Sequence, residues 1–79
     1  MNPRAIKIEA FDDHTLIALF DNGETKKFNF THLLSYPIYS DLKEISFFKK
    51  ANVKDGIVRW DSTIDLDPDL LYLESTQVV

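Results

Sequence analysis

Four aspartates near the C-terminus are the most concentrated group of side chains with chemical potential: Asp61, Asp65, Asp67 and Asp69. Several carboxylate oxygens together can bind a hard divalent cation. A calcium loop starting at the second of them would need glycine at its sixth position and glutamate at its twelfth, where this chain has Leu70 and Thr76. We therefore predict no metal site. Asp67 and Asp69 are interpreted as favouring a helix N-terminus and the other two as solvated, and any role of the cluster beyond capping and solubility stays open.

The two histidines could serve as general bases. His14 falls in a predicted turn and His32 at a predicted helix start. A general base needs a nucleophile within hydrogen-bond reach. The chain has no cysteine, and no serine lies at a spacing that indicates such a pair. We expect a non-enzymatic protein with no catalytic residue and no cofactor.

A basic stretch at residues 49–59 is the candidate interaction surface, formed by Lys49, Lys50, Lys54 and Arg59. Aromatic residues lie among these cations, and stacked bases over cations are typical of single-stranded nucleic-acid binding. The preferred interpretation places Phe48 and Trp60 in the core, with the lysines solvating a helix end and a hairpin. The net charge of −4 also opposes direct binding to phosphates.

Trp60, Leu71 and Tyr72 could instead line a pocket for a small ligand. A single tryptophan in so short a chain is more often the largest residue of the core. The chain has only two glycines, and both fit turns, so no glycine-rich phosphate loop is present.

Length and composition limit the number of domains, the cellular compartment and membrane association. A chain of 79 residues forms one domain at most. The absence of cysteine favours a reducing compartment, because secreted domains of this size usually need disulfides. The longest apolar run, residues 16–20, is too short to span a membrane. We expect a cytoplasmic protein without a membrane partner.

The first thirty residues predict a three-stranded antiparallel meander. Residues 5–11 and 15–20 are rich in β-prone apolar residues, and residues 25–30 alternate between apolar and polar. The run 15–20 is apolar on both faces, which is typical of a central strand covered on each side. Asn22-Gly23 lies between the last two strands and indicates a tight turn with positive φ.

Helical spacing follows the meander. Thr31 is a candidate cap for a short helix that Pro37 would end. Asp41 and Glu44 fit a variant of the capping box. A second helix would carry one apolar stripe, formed by Ile38, Leu42, Ile45 and Phe48.

A second hairpin and a last helix complete the pattern. Asp55-Gly56 separates two short strands and again indicates a two-residue turn. Asp67 fits an N-cap and Pro68 the first helical position. We predict an α+β domain over residues 1–74 in the order βββααββα. Helices would pack on one face of an antiparallel sheet, and residues 75–79 would form a frayed tail.

Apolar positions that share a face under these periods should be buried. They are Leu16, Ala18, Phe20, Phe28, Phe30, Leu42, Ile45, Phe48, Val58 and Trp60. Gly23 and Gly56 should both have positive φ. Further structural roles are assigned to Asp67, Pro68 and Tyr72.

Two stretches resemble a known family, the domain-of-unknown-function family 2442. The first is Leu16-x-x-x-Phe20-Asp21-Asn22-Gly23-Glu24. The second includes Leu42, Phe48, Val53, Gly56, Val58-x-Trp60 and Ile64-Asp65-Leu66-x-Pro68-x-x-Leu71-Tyr72. Two positions depart from the family pattern: the family often has an acidic residue near Asn29, and it often has proline after the tryptophan, where this chain has Asp61.

The resemblance implies a small bacterial protein without an established activity. Some members of the family are fused to helix-turn-helix segments, and some are encoded beside another short protein. It thus implies a paired-partner or antitoxin-like role. This chain has no room for a helix-turn-helix segment, so DNA binding would need a partner.

Together these observations favour a protein-interaction module that binds another protein or itself, with a homodimer among the alternatives. An open edge strand would accept the partner. The first alternative is a nucleic-acid-linked accessory protein that uses residues 49–59. The second is a small-ligand-binding domain.

Overall fold

The computed structural model describes residues 2–61 and 63–78. Strands and short helices alternate along the chain, and each element is short. The strands are β1 (Ala5–Ala10), β2 (Thr15–Phe20), β3 (Thr25–Asn29), β4 (Asn52–Lys54), β5 (Ile57–Arg59), β6 (Asp65–Leu66) and β7 (Thr76–Gln77). The helices are two 3-10 helices (Thr31–Leu33 and Pro37–Lys43), α1 (Ile45–Phe48) and α2 (Pro68–Glu74).

The strands form two antiparallel sheets. The first has the order β1-β2-β3-β7 and the second the order β4-β5-β6. The α+β class, the antiparallel pairing and the predicted meander are thus present. The prediction of one sheet in the order βββααββα, with helices on one face, is not confirmed. The order differs partly because β6 and β7, which have two residues each, are too short to produce a detectable alternation. The sheet is divided because the second hairpin pairs with β6 and not with the meander.

Both turn glycines have the predicted positive φ. Gly23 has φ of +89° and Gly56 has φ of +79°. Asp55 also has positive φ, at 54°, as a two-residue hairpin turn of the I′ type requires. Asn22 does not have positive φ within the first hairpin, because that link is longer: the Phe20 N–H donates to the Glu24 carbonyl at 2.8 Å.

The middle of the chain departs most from the sequence analysis. The stretch 37–43 is a 3-10 helix that begins at Pro37, whereas proline was expected to end a helix. Glu44 has extended backbone, with φ −77° and ψ 115°, and therefore interrupts the helical spacing. The predicted stripe is broken as a result: Ile38 is 63% exposed and Ile45 is half-buried.

The helix caps also differ from expectation in this region. Neither Thr31 nor Asp41 caps a helix: Phe30 and Glu44 hold the N-cap positions, without side-chain hydrogen bonds. Thr31 instead donates its N–H and its hydroxyl to Asn29 Oδ1, at 3.0 and 2.6 Å. The side chain of Asn29 thus holds the chain where β3 turns into the first 3-10 helix.

The core is built largely from the predicted positions. Nine of the ten predicted core residues are buried, all except Ile45. Phe30 is the centre of an aromatic cluster, with ring centroids 5.3 Å from Trp60 and 5.6 Å from Phe48. Trp60 donates its indole N–H to the Phe48 carbonyl at 2.7 Å. This bond satisfies the one polar atom of the largest core side chain.

The last helix begins as its sequence predicts. Asp67 Oδ1 accepts from the Asp69 N–H at 2.9 Å, and Pro68 is the first helical residue. Beyond the helix, Thr76–Gln77 pairs with β3, where the sequence analysis expected a frayed tail. The Val78 N–H also donates to the Thr25 carbonyl at 3.1 Å. Pairing with an existing edge gives these polar residues backbone partners that the sequence does not reveal.

The first sheet has two unequal faces. Leu16, Ala18 and Phe20 of β2 are buried on one face, while Ile17 and Leu19 on the other are half-buried. The expectation that β2 is covered on both sides therefore holds for one side only. Among residues 2–61 and 63–78, the longest helices have seven residues, and none has the length and hydropathy needed to cross a membrane.

Candidate functional site

A surface groove lies between the second 3-10 helix and α2. We call it the apolar groove, and its lining residues are His32, Leu33, Tyr36, Ile38, Tyr39, Leu70 and Glu74. Tyr36 is 55% exposed and Ile38 is 63% exposed. Large apolar side chains this exposed on a small protein are typical of a surface that contacts another molecule. Leu73, one residue before Glu74, is 67% exposed and extends the apolar surface of α2.

Local backbone chemistry explains why these side chains face outward. Pro37 fixes its own φ and has no N–H, and the helix that follows it is 3-10 rather than α. Side chains three apart eclipse in such a helix, so Tyr39 and Leu42 share a direction. Leu42 is fully buried, Tyr39 packs on Phe30 with ring centroids 5.1 Å apart, and Ile38 is left in solvent.

The electrostatic environment of the apolar groove is acidic. Burial raises the pKa of the Tyr39 hydroxyl, and the negative charges of Asp65 and Asp67 raise it further. The same hydroxyl donates to the Asp65 carbonyl at 3.3 Å. Residues 61–79 carry five acidic groups and no lysine or arginine. A partner at this groove therefore meets a negative rim.

His32 and Glu74 lie at ion-pair distance from each other at the α2 side of the groove. His32 Nε2 lies 3.4 Å from Glu74 Oε1, and both side chains are about half exposed (53% and 49%). The His32 ring also packs against Phe28, with centroids 5.7 Å apart. His32 therefore connects the first 3-10 helix to α2, and no serine hydroxyl among the described hydrogen bonds lies next to it.

The four basic residues singled out from the sequence do not form one free cationic surface. Lys49 Nζ lies 2.9 Å from Asp12 Oδ1, so part of its charge is neutralised. Arg59 is half-buried and lies opposite Asp65 in the strand register. Lys54 is exposed on β4, and Lys50 is exposed near the Phe47 ring.

The aromatic residues of the same stretch are inside the protein. Phe48 is fully buried and Trp60 is 4% exposed. A base can stack only on an exposed ring, so in this conformation neither ring is available to stack on a nucleic-acid base. Leu71 is 1% exposed, so the proposed pocket of Trp60, Leu71 and Tyr72 is part of the core and its boundary.

Three of the four C-terminal aspartates accept separate local hydrogen bonds. Asp61 Oδ1 accepts from the Thr63 N–H, the Thr63 hydroxyl and the Ile64 N–H, and these bonds lower the pKa of its carboxyl. Asp67 caps α2, and Asp69 accepts from Asn2 at 3.3 Å. In the described part of the chain, no three metal-ligating side chains come together.

His14 has a structural position that the sequence did not reveal. Its φ is 62°, an uncommon value for a residue with a side chain. Its Nε2 donates to the Leu42 carbonyl at 2.8 Å, and its ring packs on Phe48 with centroids 4.8 Å apart. His14 thereby ties the first hairpin to the helical middle of the chain.

A polar network holds the C-terminus on the first sheet. Glu24 accepts hydrogen bonds from the Tyr72 hydroxyl and from the side chains of Asn22 and Gln77. The bonds from Tyr72 and then Asn22 lower the pKa of the Glu24 carboxyl. The charge of Lys26 lies over the Tyr72 ring, 3.9 Å from its centroid. We call this network of surface side chains the C-terminal clamp. Tyr72 has its structural role within it.

Sequence reasoning missed the residues of the apolar groove. Ile38 was assigned to the apolar stripe of the predicted second helix, and Tyr36 and Leu70 were assigned no role. One signal was available: residues 36–39 are Tyr-Pro-Ile-Tyr. Proline at the first helical position favours the start of a helix, and in the 3-10 helix observed here only side chains three apart share a direction.

The model of the family described as "Protein of unknown function (DUF2442)" matches residues 5–77. The match covers nearly the whole chain, and the chain therefore belongs to this family. The resemblance seen in the sequence is thus confirmed. No curated protein and no solved structure matches the chain.

Proposed function

We propose that this DUF2442 member is a non-enzymatic protein-interaction module that binds a segment of another protein in the apolar groove. The observation that carries the proposal is the exposure of Tyr36 and Ile38 on one wall of that groove. Their outward placement costs hydrophobic stabilisation, about 1.5–3 kcal/mol for a side chain the size of isoleucine. A contact with a partner would recover that stabilisation.

The groove also favours one kind of occupant. Glu74 forms part of its wall, and Asp65 and Asp67 lie close enough to Tyr39 to raise its pKa. Complementary charge steers association and selects the partner. We infer that the bound segment carries apolar side chains flanked by lysine or arginine. This arrangement fits one half of a small two-protein system, in which the other half is basic.

The edge strands support a partner less well than the groove does. Apart from β1, the sheet edges are β4, β6 and β7, with two or three residues each. An added strand would gain few main-chain hydrogen bonds at such edges. Binding through side chains in the groove is therefore preferred to strand addition at these three edges.

The nucleic-acid alternative loses its physical basis at the aromatic residues. The burial of Phe48 and Trp60 removes the stacking surface, and Lys49 is paired with Asp12. A cytoplasmic bacterial protein with a protein partner remains the proposal. The small-ligand alternative needs an open tryptophan pocket, which the burial of Trp60 argues against.

Site-specific photo-crosslinking in the native cell tests the proposal. A photoreactive amino acid replaces Ile38 in one variant and Lys54, on the basic stretch, in a matched control. The captured protein is then purified and its affinity measured for wild type and for Ile38→Asp. We expect an adduct only from position 38, and a loss of affinity of about tenfold or more, as at an interface hot spot.

The affinity of the Ile38→Asp variant can also refute the proposal. Ile38 is an exposed residue, so Ile38→Asp should change the free energy of unfolding by no more than about 0.5 kcal/mol. Unchanged affinity in a folded Ile38→Asp variant would refute the groove as the binding site. An adduct to nucleic acid from position 54 would support the alternative function.

A further inference from the structure

The outward face of the first sheet carries opposite charges on the two sides of its central apolar strand, β2. Register pairs Ile17 of β2 with Glu9 of β1 on one side and with Lys27 of β3 on the other. All three residues line one surface depression. Since neighbouring strands lie about 4.8 Å apart, the carboxylate and the ammonium group flank the isoleucine at roughly equal distances. We call this row the Glu9–Ile17–Lys27 row.

The neighbouring positions on this face are mostly apolar or uncharged. Leu19 follows Ile17 on the same side of β2 and is half-buried. Val78 lies beside Thr25 and is 45% exposed. Lys7 is the remaining charged group facing outward from the strands on this side. Asp13 and the paired residues Asp12 and Lys49 line the depression beyond the strands. The face therefore has an apolar centre along β2, with charges at its sides.

Neither charge of the row has an ion-pair partner within residues 2–61 and 63–78. The ion pairs of that part of the chain join His32 to Glu74 and Lys49 to Asp12. The positive charge of Lys27 is the smallest of the effects that shift the pKa of the Asp13 carboxyl. Glu9 and Lys27 are both exposed, so both are available to a second molecule.

We propose that a second copy of this chain packs on this face, and that the two-fold axis lies in the interface, parallel to β2. Rotation about that axis places β1 of one copy over β3 of the other, so Glu9 of each copy lies opposite Lys27 of the other. Ile17 and Leu19 then meet their own counterparts across the axis. A two-fold axis perpendicular to the strands would oppose Glu9 to Glu9 and Lys27 to Lys27, which like-charge repulsion disfavours. The charge pattern thus selects one geometry.

The size of the face sets the strength of the dimer. Two strands of six residues, one of five and one of two give a footprint of about 300 Å², well below the ~800 Å² per partner of a standard stable interface. An interface this small belongs to the weak, transient class, so the dimer should form only at high protein concentration. This interface leaves the apolar groove free, so it is independent of the function proposed above.

Sedimentation equilibrium on charge-exchanged variants tests the dimer. Wild type is compared with Glu9→Lys, Lys27→Glu and the double exchange, from about 10 µM to about 1 mM protein. Each single exchange places like charges opposite each other and should weaken dimerisation about fivefold to tenfold. The double exchange restores opposite charges across the axis and should return the dissociation constant to the wild-type value.

Three controls keep the result specific. Lys54→Glu changes the net charge as Lys27→Glu does, but on the other sheet, and should leave dimerisation unchanged. Ile17→Thr keeps a β-branched residue on the strand and should weaken the dimer, and circular dichroism establishes that each variant is folded. Ile38→Asp, in the apolar groove, should have no effect.

Several outcomes would overturn the proposal. A wild-type protein that stays monomeric at all these concentrations refutes it, and so does a dimer that the single exchanges do not weaken. A double exchange that remains as weak as the single ones refutes the two-fold axis along β2. A dimer disrupted by Ile38→Asp but not by Ile17→Thr would place self-association in the groove instead.

Discussion

Replacement of Trp60 by alanine tests the core on which every surface of this protein depends. Trp60 is 4% exposed, its ring packs on Phe30 and Phe48, and its indole N–H donates to a buried carbonyl. Removing a buried tryptophan side chain costs about 3–5 kcal/mol. A domain of this length has a free energy of unfolding of about 4–12 kcal/mol, so Trp60→Ala should remove a large part of it.

The thermal melt turns this loss into a measurable shift. Each kcal/mol lowers the Tm of a small domain by about 4–8 °C, so Trp60→Ala should melt at least about 12 °C below wild type. Trp60→Phe keeps an aromatic ring in the cluster but leaves the Phe48 carbonyl without its donor, a cost of about 1–3 kcal/mol. We expect the order wild type, Trp60→Phe, Trp60→Ala in circular-dichroism melts. A Trp60→Ala variant that melts within about 3 °C of wild type would show that the tryptophan does not support the core.

Two further predictions concern the turns and the C-terminal clamp. Gly56→Ala should destabilise the protein more than Gly23→Ala in chemical denaturation, because an added Cβ at position 56 lies 3.0 Å from Arg4 Cβ while none lies within 4 Å at position 23; equal losses would contradict this. The lowered pKa of Glu24 stabilises the fold above the ordinary glutamate pKa of 4.5, and that stability is lost as pH falls through the folded pKa. Tyr72→Phe removes the main donor, so its Tm deficit should be larger at neutral pH than at about pH 3, and a pH-independent deficit would argue against the clamp.

The sequence predicts the hairpins well because their signals are local. Asn-Gly and Asp-Gly pairs specify turns within a few residues, and alternation in β3 identifies its buried face. The N-cap at Asp67 is equally local. These features depend on backbone preferences that neighbouring residues determine, and the structure agrees with them.

The split into two sheets and the location of the groove depend on contacts that are distant in sequence. Thr76–Gln77 pairs with β3, almost fifty positions earlier, and nothing in its polar composition indicates this. The extended conformation of Glu44 ends a helical pattern that continues in the sequence. Leu42 and Phe48 on either side of this break are both fully buried, so tertiary packing overrides local helix propensity at that point.

The most direct test of the proposed function is an NMR titration of the isotope-labelled protein with the partner captured at position 38. Amide shifts map the contact surface without altering either molecule. We expect the largest changes at residues 32–39 and 70–74, around the apolar groove, with smaller changes in higher salt because the rim is acidic. Changes concentrated at residues 49–59, or on the outward face of the first sheet, would contradict the groove as the site of binding.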